Sequence, residues 1–142
     1  MKRLLACAAA VLSIAMWTPT AANAAIELKL GHVCPATGDR LEQAAQVFKK
    51  YVEEKTGGEI VVKTFPASQL GGEREMLESI QMGTLECGTI TNAPFSNFLK
   101  ETLVFDIPFV FSKAEHAHRV LDGEFGQYLL GLVEKRMGVK AL

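Results

Sequence analysis

Three loops in this sequence combine uncharged polar groups with small or apolar residues, and each follows a predicted strand. They lie at residues 32–37, 66–70 and 91–94, and the side chains of interest are His32, Val33, Gln69, Thr91, Asn92 and Ala93. Because the carboxyl ends of parallel strands meet at one edge of a sheet, these loops would line one crevice. The pattern predicts a binding site for a small polar solute. For Thr91 and Asn92, capping of a short following helix is the alternative.

The same region does not assemble a convincing catalytic site. His32 and Cys34 are close in sequence, but adjacent loop residues rarely form a Cys–His hydrogen bond, and no nucleophile elbow or orienting acid accompanies them. His116 and His118 are two residues apart on a predicted helix, so their side chains diverge and cannot chelate one metal. We therefore expect no enzymatic activity, no metal and no cofactor.

Apolar patterning predicts alternating strands and helices. Alternating or β-branched segments at 26–30, 60–65 and 85–90 predict strands. Apolar residues at helical spacing from Arg40 onward, and again around 76–80, predict the two helices between them. Two right-handed crossovers then give an α/β fold with a mainly parallel sheet flanked by helices. This arrangement would place the three loops on one edge.

Gly71 and Gly72 precede the second of these helices, where free backbone N–H groups and the helix dipole favour an anion. No Lys-Ser/Thr pair follows, so the segment is not a phosphate-binding P-loop. Glu73 is interpreted as a solvated carboxylate in the first helical turn, although it could face a ligand.

Four further features are predicted towards the end of the sequence. Residues 106–111 are apolar and contain a proline, which predicts an ordered, buried connection. Residues 112–115 read Ser-Lys-Ala-Glu, a capping box that would start a helix. Another amphipathic helix is predicted from Glu124 to Arg136, with Gly138 as its cap, and a strand is expected to begin at Val139.

The amino terminus has the pattern of a cleavable secretory signal peptide. Lys2 and Arg3 precede an apolar run over residues 4–17, and residues 22–24 read Ala-Asn-Ala, a typical cleavage site. We therefore expect residues 1–24 to be removed, and the remainder, from residue 25, to be periplasmic.

Composition argues against a nucleic-acid partner. The formal net charge is −1, and it becomes about −3 without Lys2 and Arg3, which is no basis for binding a polyanion. Cys34 and Cys87 match neither a disulfide framework nor a zinc pattern and are interpreted as buried free thiols.

Residues 65–75, FPASQLGGERE, resemble the signature of the DctP family, the extracytoplasmic solute receptors of TRAP transporters. Shorter similarities at 28–32, 52–58, 105–111 and 121–124 follow in the family's order and spacing. The resemblance implies a protein of two α/β lobes that closes around one small organic acid. It also implies delivery of the solute to a membrane permease pair driven by a sodium gradient.

By that resemblance, residues 25–142 would form the N-terminal lobe, and the second lobe, with the arginine that usually pairs with the ligand carboxylate, would lie largely beyond residue 142. Two departures from the family pattern bear on the ligand. Val33 is apolar where some relatives are polar, and Pro94 replaces an arginine of the sialic-acid-binding relatives, so sialic acid is a poor guess. The alternatives are a solute receptor of a signalling system with the same fold and an exported enzyme.

Overall fold

A parallel sheet of three strands lies at the centre of the fold. The structure is a computed structural model that describes residues 24–142. The elements are β1 (Ile26–Gly31), α1 (Arg40–Lys55), β2 (Ile60–Phe65), α2 (Glu73–Gln81), β3 (Cys87–Gly88), α3 (Asn92–Phe95), a 3-10 helix (Lys100–Asp106), α4 (Ala114–Leu121) and α5 (Glu124–Met137). The predicted α/β class, with a parallel sheet flanked by helices, is confirmed.

The strand order is β2-β1-β3, so β1 is the central strand. Its parallel register with β2 runs from Ile26 opposite Ile60 to Gly31 opposite Phe65. The third strand is shorter than the predicted 85–90, because only Cys87 and Gly88 pair with β1. The residues before it are held elsewhere: the N–H groups of Thr84 and Leu85 both donate to the Ser79 carbonyl at the end of α2, at 2.9 and 3.3 Å.

The helix ends follow from local side-chain and backbone chemistry. The Asp39 carboxylate accepts a hydrogen bond from the Leu41 N–H at 2.7 Å and so caps the start of α1. At the start of α2, Glu75 Oε2 accepts from the Gly72 N–H at 2.9 Å. The predicted end of α5 is also confirmed, because Gly138 follows the helix with a φ of +68°, a conformation that glycine adopts without strain.

Two apolar clusters form the core. The first lies between the sheet and α1 and contains Leu30, Ala45 and Val62. The second joins α2, the 3-10 helix region and α5, and it contains Leu77, Leu99, Val133 and Met137. Burial of these apolar surfaces fixes α1 and α2 against the sheet and thereby fixes the loops that precede them.

The connection at residues 106–111 is not buried, which corrects the prediction. Phe109 is 98% exposed and Ile107 is 55% exposed. The backbone of Phe109 has a φ of +60°, and the neighbouring aromatic rings pack locally instead. Phe105 contacts Phe111 and Phe125, with ring centroids 6.0 and 6.2 Å apart. Apolar composition alone predicts burial of this segment, but among residues 24–142 no second layer covers it.

Near the carboxyl end, the helix predicted after residue 112 is confirmed as α4, but its predicted capping box and the predicted strand from Val139 are wrong. Lys113 is the residue before α4, and the Ser112 hydroxyl makes no capping bond; it lies 3.5 Å from His116 Nδ1. Residues 139–142 form no strand, because Val139 and Ala141 pack against the second apolar cluster rather than joining the sheet.

The predicted signal peptide lies, apart from its last residue, outside the described residues. Among the helices of residues 24–142, none has both the length and the apolar character that a membrane span requires.

Candidate functional site

The three predicted loops meet at the carboxyl edge of the sheet, where backbone hydrogen bonds tie the first two loops to each other. The first loop donates from His32 N to Phe65 O at 3.1 Å. The second loop returns two bonds, from Ala67 N to Cys34 O at 2.8 Å and from Ser68 N to His32 O at 3.1 Å. Beside these bonds, Thr89 N donates to Gly31 O at 2.9 Å. The chain continues from Thr89 into the third loop. The loops therefore share one edge, as the parallel topology requires.

His32 lies beneath this edge rather than on its surface. Its side chain is fully buried, and its Nε2 is 2.7 Å from Glu42 Oε2 on α1. Glu42 in turn accepts from Gln46 at 2.6 Å. The hydrogen bonds from Gln46 and then from His32 lower the pKa of the Glu42 carboxyl. The imidazole thus joins β1 to α1, and direct contact with a solute remains a prediction that its burial does not favour.

The second loop has an unusual backbone. Ala67 and Ser68 are consecutive residues with φ of +53° and +59°, the left-handed region that costs non-glycine residues about 1–2 kcal/mol each. The two hydrogen bonds to the first loop hold them there. Gln69 follows directly and is exposed, so its amide is free to reach a solute. Val33 in the first loop is half-buried and gives this edge an apolar part.

The third loop is held by Glu73 at the start of α2. Glu73 Oε1 accepts from the Thr91 N–H at 2.6 Å, and Glu73 Oε2 accepts from the Thr91 hydroxyl at 2.8 Å. Thr91 occupies the position before α3, but its hydroxyl oxygen accepts no capping bond from the helix, and the hydroxyl donates to Glu73. Asn92 is half-buried and donates to Thr102 O and Asp106 Oδ1, while Ala93 is exposed.

Charge near the first loop opposes a reactive thiol. Partial burial raises the pKa of Cys34, and a hydrogen bond to the Asp39 carboxylate raises it further. The charges of Asp39 and Glu73 act in the same direction, and Arg40 acts against them. A raised pKa leaves the thiol protonated at neutral pH, which is the wrong state for a nucleophile. Within residues 24–142 no group of three or more His, Cys, Asp or Glu side chains could hold a metal ion.

The sequence did not identify two carboxylates that shape this edge. The sequence favours a solvated Glu73 at a helix start while leaving ligand contact open, and it does not single out Glu42. Both carboxylates form hydrogen bonds with residues distant in sequence: Glu73 bonds to Thr91, 18 residues away, and Glu42 bonds to His32, 10 residues away. The available signal was the place of Glu73, directly after a glycine pair that follows a strand.

Comparison with known proteins identifies this architecture. The family model described as bacterial extracellular solute-binding protein, family 7 (DctP), matches residues 30–142. A solute-binding protein of Verminephrobacter eiseniae is 44% identical over 99 residues, which cover 70% of this chain and 29% of that protein.

Two solved structures are similar to the described fold. A TRAP periplasmic solute-binding protein from Polaromonas sp. JS666, bound to D-erythronate, is 40% identical with a TM-score of 0.74, covering 78% of this chain and 36% of that one. One from Sulfurospirillum deleyianum, bound to succinate, is 33% identical with a TM-score of 0.70, covering 79% and 36%. The chain therefore spans about a third of the length of these relatives.

Proposed function

This chain belongs to the DctP family of bacterial extracellular solute-binding proteins, and from that premise we propose that it forms the N-terminal lobe of a periplasmic TRAP receptor. The receptor captures a small organic acid and delivers it to a membrane permease. The observation that carries the proposal is the convergence of the three loops at the carboxyl edge of the sheet. Solved relatives with this fold are bound to D-erythronate and to succinate, both small organic acids.

In the proposed mechanism this lobe supplies half of a crevice. A solute that touches both lobes stabilises the closed state, because only that state satisfies both ends of the solute. We propose that the ligand contacts of this lobe lie among the loop residues His32, Val33, Gln69, Thr91, Asn92 and Ala93, of which the fully buried His32 has the least support. Gln69, Thr91 and Ala93 support the assignment best, since each is exposed at the shared edge.

The test is calorimetric titration of the two-lobed protein, meaning this chain followed by the remaining length found in its relatives. The titrants are dicarboxylates, keto acids and sugar acids, with neutral sugars as controls. We expect saturable binding of at least one acid and no binding of the neutral sugars. Absence of binding to every acid contradicts the proposed function.

A double variant tests the site. Thr91→Ala combined with Asn92→Ala removes two polar groups at the crevice edge and should weaken acid binding at least tenfold. Asn97→Ala is the control, because Asn97 is an exposed amide in the same segment that bonds only to the local carbonyls of Ala93 and Pro94. Equal affinity in the double variant and the control contradicts the placement of the site.

A further inference from the structure

The hydrogen bonds of the third loop use the donors of its two polar side chains, Thr91 and Asn92, and leave only acceptors. A threonine hydroxyl has one proton to donate and two lone pairs with which to accept. The proton of Thr91 is committed to Glu73 Oε2 at 2.8 Å, because a carboxylate can only accept. The same carboxylate takes the Thr91 N–H at 2.6 Å, so both the backbone and the hydroxyl of Thr91 are fixed by one group. The exposed hydroxyl is left with lone pairs only.

The side-chain amide of Asn92 is likewise held with its donors in use. Its Nδ2 donates to the Thr102 carbonyl at 3.1 Å and to Asp106 Oδ1 at 2.7 Å. Both partners are acceptors, so the amide cannot be turned over without placing an oxygen against two oxygens. Its two N–H donors are used, and Oδ1 remains as an acceptor.

This edge also carries negative charge. Glu73 contacts Thr91 directly, and the charges of Asp39 and Glu73 both raise the pKa of the nearby Cys34 thiol, although Arg40 acts in the opposite direction. A solute carboxylate placed here would meet lone pairs and like charge, which is unfavourable. A solute hydroxyl can donate to the same oxygens, which suits the arrangement.

We infer that the Thr91–Asn92 edge of the crevice binds a hydroxyl group of the solute, so that the receptor prefers hydroxylated carboxylates to their unsubstituted counterparts. Glu73 is the positioning residue for this preference, since it orients the Thr91 hydroxyl. This inference rests on the proposed function and deepens it: the hydroxylated end of the acid faces this lobe, and its carboxylate is bound away from the Thr91–Asn92 edge.

The experiment measures selectivity in the two-lobed protein with matched pairs of acids. D-erythronate and butyrate are four-carbon monoacids that differ only in hydroxyl groups, and malate and succinate are dicarboxylates that differ by one hydroxyl. We expect the hydroxylated member of at least one pair to bind at least tenfold more tightly, because a site that hydrogen-bonds a substrate hydroxyl rejects the analogue without it.

Variants separate this recognition from general damage to the fold. Thr91→Val keeps the shape of the side chain and removes the hydroxyl, so the preference for the hydroxylated acid should fall about tenfold. Thr91→Ser retains the hydroxyl and should retain the preference. Glu73→Gln places an amide N–H against the Thr91 hydroxyl and frees its proton, so the preference should fall at least threefold. Glu75→Gln is the control, because it makes the same change two residues further along α2, and it should leave the preference for the hydroxylated acid unchanged.

The possible outcomes divide clearly. A two-lobed protein that binds acids without preference for the hydroxylated member, or a Thr91→Val variant that keeps the preference, overturns this inference while the proposed function stands. Loss of preference in Glu75→Gln as large as in Glu73→Gln overturns the role of Glu73. If the unmodified protein binds none of these acids and none of the wider panel, the proposed function fails, and this inference fails with it.

Discussion

The Gly31 backbone and the Met76 sulfur are packed so closely that no side chain fits between them. A Cβ built on Gly31 would lie 2.6 Å from Met76 Sδ, and Met76 is fully buried and cannot move aside into solvent. Gly31 is the last residue of β1, so this contact sets the distance between the central strand and α2 at the crevice edge.

Gly31→Ala should therefore destabilise the fold, by about 1–3 kcal/mol, because added volume in a packed core forces its neighbours to shift. Gly131→Ala is the matched control. Gly131 lies within α5 with nothing within 4 Å of an added Cβ. Alanine at this position should therefore stabilise the folded protein by up to about 1 kcal/mol, because alanine favours helix more than glycine does. Urea unfolding measures both, and equal effects of the two substitutions contradict this packing account.

The Glu42 carboxylate predicts a pH dependence of stability. Hydrogen bonds from Gln46 and from His32 hold its folded-state pKa below the usual value of 4.5. A carboxyl with a depressed folded-state pKa contributes stability above its unfolded pKa, and that contribution is lost as the pH falls through the folded pKa. The free energy of unfolding should fall below about pH 4.5, and fall less in Glu42→Gln. Parallel profiles for the two proteins would show that Glu42 contributes nothing.

The Cys34 thiol should react slowly at neutral pH. Burial and the hydrogen bond to Asp39 raise its pKa, which reduces the thiolate fraction at any given pH. In a Cys87→Ala background, Asp39→Asn removes a negative charge and should lower the pH at which Cys34 reacts half-maximally with a disulfide reagent. A higher pH of half-maximal reaction in the Asp39→Asn variant would contradict the assignment of the raised Cys34 pKa to Asp39.

Sequence patterns were sufficient for the elements that depend on local periodicity. The strand at 60–65, the start of α1 at Arg40 and the end of α5 at Gly138 needed only alternation, helical spacing and a glycine, and all three are confirmed. The convergence of the three loops followed from the parallel topology alone. The ligand contacts assigned to those loops stay predictions.

Features that depend on long-range packing were not predictable in this way. Phe109 belongs to an apolar run but is exposed, because burial depends on whether another layer of the fold reaches it. Glu73 resembles any acidic residue at a helix start, and only the tertiary fold brings it to Thr91, 18 residues further along. Ser112 has the sequence of a cap, yet α4 begins one residue later with Lys113 before it.

We propose that export removes residues 1–24. The charged residues Lys2 and Arg3, the apolar run at 4–17 and the Ala-Asn-Ala site motivate this expectation. Amino-terminal sequencing of the protein from a periplasmic fraction should begin at Ala25. Recovery of the protein with Met1 in the membrane fraction would contradict cleavage.

The most direct test of the account compares acid binding by this chain alone with binding by the two-lobed protein. One lobe provides half a crevice, in which an ion pair to the solute stays exposed to water and is worth at most about 1 kcal/mol. Its loops at residues 32–37, 66–70 and 91–94 carry no arginine to clamp a carboxylate with two bonds. Calorimetry with D-erythronate, malate and succinate should show binding to the two-lobed protein and no heat of binding to the 142-residue chain. Binding of equal strength by the chain alone would contradict the claim that recognition requires closure of two lobes.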